Sequence, residues 1–265
     1  MTMSSPELVV SGESVLGLEL ATLAQERGLG VRYLRPGRIA PLLPPGMRVL
    51  RDPSEAADAE TVIVTSVHPR RSFIAGLQFL ETQISPEAAI VVSGFAAGPT
   101  SLGAYLRHPG RVFSIGAVPP LERMRGVAVA RGLLSHERTY DRVLSLAQDL
   151  FGQSYPGPDA PGMTLPRVVV TLVNEAAFAL GEGVAQAPDI DRAMLLGVNY
   201  PEGPLAWGDR IGLDEVLGGL LALYDHYGEN RYRPAPALRR LVQAGFTGRW
   251  QGRGFYTYAG SGLQG

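Results

Sequence analysis

Through Phe151, apolar positions alternate between short continuous runs and longer stretches at helical spacing. Residues 7–10 are an apolar run of the length that suits a buried parallel strand, and the run breaks at Ser11-Gly12. Val15, Leu16, Leu18, Leu20, Leu23 and Ala24 then recur on one helical face, and Gly28 supplies a C-terminal stop. Residues 31–34 read as a second strand, closed by Pro36-Gly37. Strand, tight glycine turn, helix and strand within about 30 residues make one βαβ unit, which chain sterics make right-handed. The alternation continues: residues 61–67, 88–92, 111–115 and 127–130 read as strands, and 73–80 and 140–151 as helices. Six short apolar strands with intervening helices predict an open, doubly wound parallel sheet.

Residues 152–162 are rich in proline and glycine and mark a boundary. Beyond them the strand signals vanish. Helices are predicted over 166–181, with Pro166 in the first turn, and over 189–196, opened by acids and closed at Gly197. Two more are predicted over 214–227, capped by Asp214 and stopped by Gly228, and over 236–244, stopped by Gly245. The pattern therefore gives a Rossmann-type α/β domain over residues 1–157 and an all-α domain over 158–265.

The turn after the first strand reads Gly12-Glu-Ser14-Val-Leu-Gly17. A dinucleotide-binding turn follows GxGxxG, so Ser14 stands where the second glycine lets the backbone approach a pyrophosphate resting on the helix N-terminus. The acid expected after the second strand, to hold the adenosine ribose, is replaced by Arg35, with Arg32 and Arg38 nearby. An arginine there accommodates a 2′-phosphate. The candidate NAD or NADP contacts are therefore Gly12, Ser14, Val15, Leu16 and Gly17, with Arg35 and, at the end of the third strand, Ser66. The alternative is a βαβ turn that has lost its ligand. His68-Pro-Arg-Arg71 follows the third strand and either holds an anion or exchanges a proton, or forms a solvated loop.

Composition removes several kinds of chemistry. A net charge of −1 gives no cationic surplus for nucleic acid or an anionic membrane, and no apolar run is long enough to span a bilayer. The N-terminal residues lack the basic and apolar segments of a signal peptide, so the cytoplasm is the expected location. There is no cysteine, which excludes disulfides and thiolate chemistry, and all 24 basic residues are arginine, which excludes Schiff-base lysines. His108, His136 and His226 have no companions at metal-ligand spacing and read as surface or packing residues.

The second half carries a family pattern. Asn174-Glu175-Ala176, Glu182-Gly183, Asp189-Ile-Asp191 with Ala193-Met194, and Gly197 occur in order. Pro201-x-Gly-Pro-Leu205, Asp209-x-Ile-Gly-Leu-Asp214, Pro236-x-Leu238 and Gly245-x-x-Gly-Arg-x-x-Gly-Arg-Gly-Phe-Tyr256 follow. Over about 100 residues this spacing resembles the C-terminal domain of 3-hydroxyacyl-CoA dehydrogenases. The resemblance implies an oxidoreductase that uses NAD or NADP on a 3-hydroxyacyl-CoA or a related hydroxy or keto compound. It also implies a homodimer paired through the helical domains, with an acyl-CoA-like molecule as a possible partner. An imine- or keto-acid reductase related at the level of the fold is less consistent with these C-terminal motifs.

The resemblance further implies where the chemistry should sit. In that family a histidine in an HFFNP segment is the general acid/base, oriented by a glutamate of the following strand. Aligned on Pro120 and on residues 127–132, the histidine position holds Gly116, the asparagine position Pro119 and the glutamate position Ala128. A substrate-facing asparagine falls on Pro166, and the serine of an SNTS segment on Ala96. The joint replacement leaves a second expectation: a catalytically inactive homodimer that keeps the fold as a ligand-binding or partner module.

Overall fold

The structure is a computed structural model that describes residues 8–35, 37–65, 70–95 and 97–258. Ser66, His68 and Ala96 lie outside the described residues, as do the side chains of Arg38, Arg70 and Arg71. The chain divides into two compact units, Met1–Thr164 and Leu165–Gly265.

Among the described residues the first unit is built on one sheet of eight strands: β1 (Leu8–Ser11), β2 (Val31–Leu34), β3 (Arg48–Leu50), β4 (Thr61–Val64), β5 (Ala89–Ser93), β6 (Val112–Ile115), β7 (Val127–Arg131) and β8 (Ser154–Gly157). Their spatial order is β3-β2-β1-β4-β5-β6-β7-β8. All pairings are parallel except β6 with β7. Helices α1 (Val15–Glu26), α2 (Arg70–Gln83), α3 (Pro99–Gly103) and α4 (Glu137–Phe151) connect them. Val9, Val62 and Ile90 are as fully buried as Val10, Ile63 and Val91, their neighbours on the opposite face. Burial on both faces is why these strands read as unbroken apolar runs rather than alternating ones. On one face Leu16, Leu20 and Ala24 of α1 and Val143, Leu146 and Leu150 of α4 pack with Tyr33, Ile63 and Phe113.

Two strands escaped the hydrophobic pattern. Both β3 and β8 are sheet edges. Of the three β3 residues only Leu50 is buried, and β8 lies within the proline- and glycine-rich boundary. Pro156 is tolerated there because an edge strand has one side without a ladder to serve.

The second unit contains α5 (Leu165–Gly181), α6 (Ala187–Val198), α7 (Pro204–Ile211), α8 (Leu213–Tyr227) and α9 (Pro236–Gln243). Helix α7 was not predicted; its eight residues are too few for a periodic signal to emerge. Asp214 is not the cap of α8 but part of its first turn, where an acid still suits the helix dipole; Gly212 is the N-cap. Helix α5 touches all four of the others.

The motif residues of this unit act as anchors. Asn174 accepts from the Ala235 N–H at 2.8 Å and donates to the Arg233 carbonyl at 3.0 Å, fixing the entry to α9. Asp191 accepts from the Leu205 and Ala206 N–H groups, so one helix caps the next, and it also takes the Tyr256 hydroxyl at 2.7 Å. Asp209 is fully buried and accepts the N–H groups of Phe255 and Tyr256 and the Tyr258 hydroxyl. Burial holds its carboxyl above the usual carboxylate range, against the pull of those donors. A Cβ on Gly254 would lie 2.0 Å from the Asp209 carboxylate, so only glycine lets this segment close on it.

Asp209→Ala strands two backbone donors, the N–H groups of Phe255 and Tyr256, and the Tyr258 hydroxyl. We expect a loss on the order of 3 kcal/mol, read as a shift in the urea midpoint with the slope unchanged.

Candidate functional site

Strands β1 and β4 are neighbours in the sheet, yet the chain leaves β1 toward β2 on the other side. This is the switch point of an open α/β sheet, where ligands bind beyond the carboxyl ends of the strands. The turn Gly12–Gly17 occupies that position. Gly12 has φ 126°, which a side chain would strain.

Ser14 is the N-cap of α1. Its Oγ accepts the Gly17 N–H at 3.1 Å and donates to Thr65 Oγ1 at 2.8 Å, and Thr65 donates in turn to the Ser11 carbonyl. The residue is 7% exposed. The hydroxyl that replaced glycine is therefore committed inward, to the helix cap and the neighbouring strand. That leaves the N–H groups of Val15 and Leu16, which a first helical turn cannot satisfy internally. The residues present thus fit an anionic diphosphate at this turn. Tyr33 donates to the Gly12 carbonyl at 2.7 Å. Burial, and secondarily the Glu13 carboxylate, hold its phenol well above the ordinary value, so it remains a donor.

Gly17 is the close-packing glycine of the turn. A Cβ there would lie 2.2 Å from the Tyr33 hydroxyl and 2.7 Å from Thr65 Oγ1. Arg35 follows β2 in a left-handed conformation, φ 49°. Its Nε donates to the Arg51 carbonyl at 3.2 Å and its Nη2 lies 3.9 Å from Asp52. Arg32 is unavailable to any ligand: it is 6% exposed and paired with Asp58 at 2.8 Å. The structure thus brings Gly12, Ser14, Val15, Leu16 and Gly17 together and sets Arg35 at the end of the adjacent strand. The histidines read as surface or packing residues, His108, His136 and His226, are all exposed; the His136 ring also lies against Gly110, and His226 meets Tyr227 edge-on at 4.5 Å.

A second feature lies farther along the sheet. Gly116, just past β6, donates its N–H to the Ala128 carbonyl of β7 at 2.9 Å. The two positions singled out by the family resemblance are therefore cross-strand neighbours. Beside them packs Met163, 2% exposed and held with φ 44°. Its thioether and methyl approach three glycines. A Cβ would come within 2.4 Å of Met163 on Gly94, 2.7 Å on Gly157 and 3.5 Å on Gly116. Ala128 and Ala130 complete this packed cluster. None of these side chains can exchange a proton. Met163 gave no sequence signal, because a lone methionine in a glycine-rich boundary has no period.

Gly17→Ala should cost about 1–3 kcal/mol by overpacking. Adding Tyr33→Phe, which removes the nearest atom, should restore part of that loss; urea denaturation of both variants measures it.

The comparisons with known proteins agree with this architecture. A family model described as the 3-hydroxyacyl-CoA dehydrogenase C-terminal domain matches residues 162–258. A probable 3-hydroxybutyryl-CoA dehydrogenase of Bacillus subtilis is 39% identical over 177 residues, 66% of this chain and 62% of that protein. The 3-hydroxybutyryl-CoA dehydrogenase of Bradyrhizobium diazoefficiens is 32% identical over 207 residues, 78% of this chain and 71% of that protein. Among solved structures, the (S)-3-hydroxybutyryl-CoA dehydrogenase of Ralstonia eutropha superposes with a TM-score of 0.72 at 26% identity, covering 97% of this chain and all of that one. Sequence and fold together establish that this chain belongs to the 3-hydroxyacyl-CoA dehydrogenase family of oxidoreductases.

Proposed function

We propose that this chain binds a nicotinamide dinucleotide over Gly12–Gly17 and acts on a 3-hydroxyacyl-CoA or a related hydroxy or keto compound, without a proton relay of its own. The observation that carries the first part is the inward commitment of Ser14, which leaves the Val15 and Leu16 N–H groups for the diphosphate. A bound nicotinamide dinucleotide supplies the hydride. The chain supplies a helix N-terminus, a turn held shut by Tyr33 and Thr65, and the sheet edge that orients the cofactor.

The proton is the weak part of the chemistry. Reducing a ketone to an alcohol needs one, and a positioned acid contributes roughly 10²–10⁴ in rate. Gly116, Ala128 and Met163 offer none, so a bound water, or His68 outside the described residues, has to serve. The same packing favours a second reading, an inactive family member kept as a ligand-binding or partner module. Acetoacetyl-CoA reduction with NADH and NADPH, paired with calorimetric titration of both dinucleotides, separates the two. We expect micromolar dinucleotide binding and turnover about 10²–10⁴ below that of a histidine-bearing relative. Binding without turnover selects the second reading. No binding of either dinucleotide overturns the oxidoreductase reading and leaves the partner module.

Homodimerisation through the helical unit belongs to the same proposal. Leu196 and Val198 of α6 are 76% and 54% exposed, with Leu195 beside them, an apolar surface that pairing of two copies would cover. Among the described residues no helix is long and apolar enough to cross a membrane, and we place the protein in the cytoplasm. Light scattering should give a dimer mass for the native chain, and Leu196→Arg should shift it to monomer with the helical content unchanged.

A further inference from the structure

The strand-end acid that would hold an adenosine ribose is missing after β2, where Arg35 stands. The structure nevertheless places a carboxylate close by. Gly37, three residues beyond the end of β2, has φ 52°, and a Cβ on it would lie 2.1 Å from both Glu13 Cδ and Glu13 Oε1 and 2.5 Å from Oε2. The whole carboxylate therefore lies against the Gly37 backbone, bridging from the glycine turn to the segment that follows β2. It occupies the space that a side chain at position 37 would take. The same carboxylate is near enough to the Tyr33 hydroxyl to oppose its ionisation. Glu13 is itself exposed, so its oxygens remain open to a ligand on the solvent side.

Arg35 is less available than its position in the sequence implies. Its guanidinium is engaged by the Arg51 carbonyl and lies 3.9 Å from Asp52, and the turn beside it carries the Glu13 charge. Among the described residues, a 2′-phosphate brought to this place would meet Arg35, which lies 3.9 Å from Asp52, and a Glu13 carboxylate with no cation in contact with it. A ribose cis-diol would meet an acceptor pair of the right kind, because each hydroxyl donates and each carboxylate oxygen accepts.

We infer, resting on the dinucleotide reading proposed above, that Glu13 takes over the adenosine-ribose role from within the glycine turn and selects NAD over NADP. The position is the second residue of the turn, not the end of β2, where Arg35 stands.

Equilibrium titration of the full chain with NADH and with NADPH, followed by nicotinamide fluorescence, tests this. The native chain should bind NADH at least about tenfold more tightly than NADPH, as expected for loss of a charge-assisted hydrogen bond and gain of like-charge repulsion. Glu13→Gln should weaken NADH by about tenfold while leaving NADPH unchanged or tighter. Glu13→Ser, which also removes the reach, should do the same. A purely structural role would move both affinities together, and that result overturns the assignment. Equal or tighter binding of NADPH by the native chain also overturns it, while leaving the dinucleotide reading standing. Binding of neither by the native chain overturns that reading and this assignment with it.

Discussion

Three hydroxyls hold the turn after β1 closed: Ser14 donates to Thr65, Thr65 to the Ser11 carbonyl, and Tyr33 to the Gly12 carbonyl. All three belong to elements that meet at the switch point of the sheet, where β1 has β2 on one side and β4 on the other. Open sheets bind ligands here because the two flanking connections part and leave the strand ends uncovered. The hydroxyl network converts that topological gap into a fixed surface. It also reconciles Ser14 with a dinucleotide turn, since the Cβ and hydroxyl that a glycine would lack are folded into the helix cap and the next strand. Gly17 then has to stay small, because Tyr33 and Thr65 occupy the space its side chain would need.

Farther along the same sheet, the ends of β6 and β7 follow a different logic. Proton transfer needs a side chain of suitable pKa within hydrogen-bond reach of the reacting group. Here the cross-strand pair is Gly116 and Ala128, and Met163 packs beside them and against two more glycines. A flexible thioether suits such an irregular space. A Cβ on Gly116 would touch Met163 and Ala128 at an ordinary contact distance of 3.5 Å, so any larger side chain there has to share space with the thioether. The packing is thus self-consistent rather than a vacated site, and it couples residues from three separate stretches of sequence.

Much of this was legible in the sequence, and the exceptions have physical causes. Strands buried on both faces, such as β1, β4 and β5, announce themselves as apolar runs, and the turn glycines fix where α1 begins. The edge strands β3 and β8 and the short α7 carry too little periodic pattern to be read. Asn174, Asp191 and Asp209 were visible as spaced motif residues, but their roles as buried acceptors depend on partners 14 to 65 residues away. Glu13 and Met163 were not visible at all. Each matters through what a distant glycine leaves open, and a sequence does not show which glycine faces which side chain.

The central claim is that the turn at the switch point still holds a dinucleotide while the strand ends beyond it supply no proton. Rapid mixing of the protein–NADH complex with acetoacetyl-CoA, followed as single-turnover loss of nicotinamide absorbance across about pH 5.5 to 8, tests it most directly. With water as the proton source, the account predicts a slow rate that stays constant across that range. A fast rate governed by one ionisation near the histidine value of about 6.5 would contradict it.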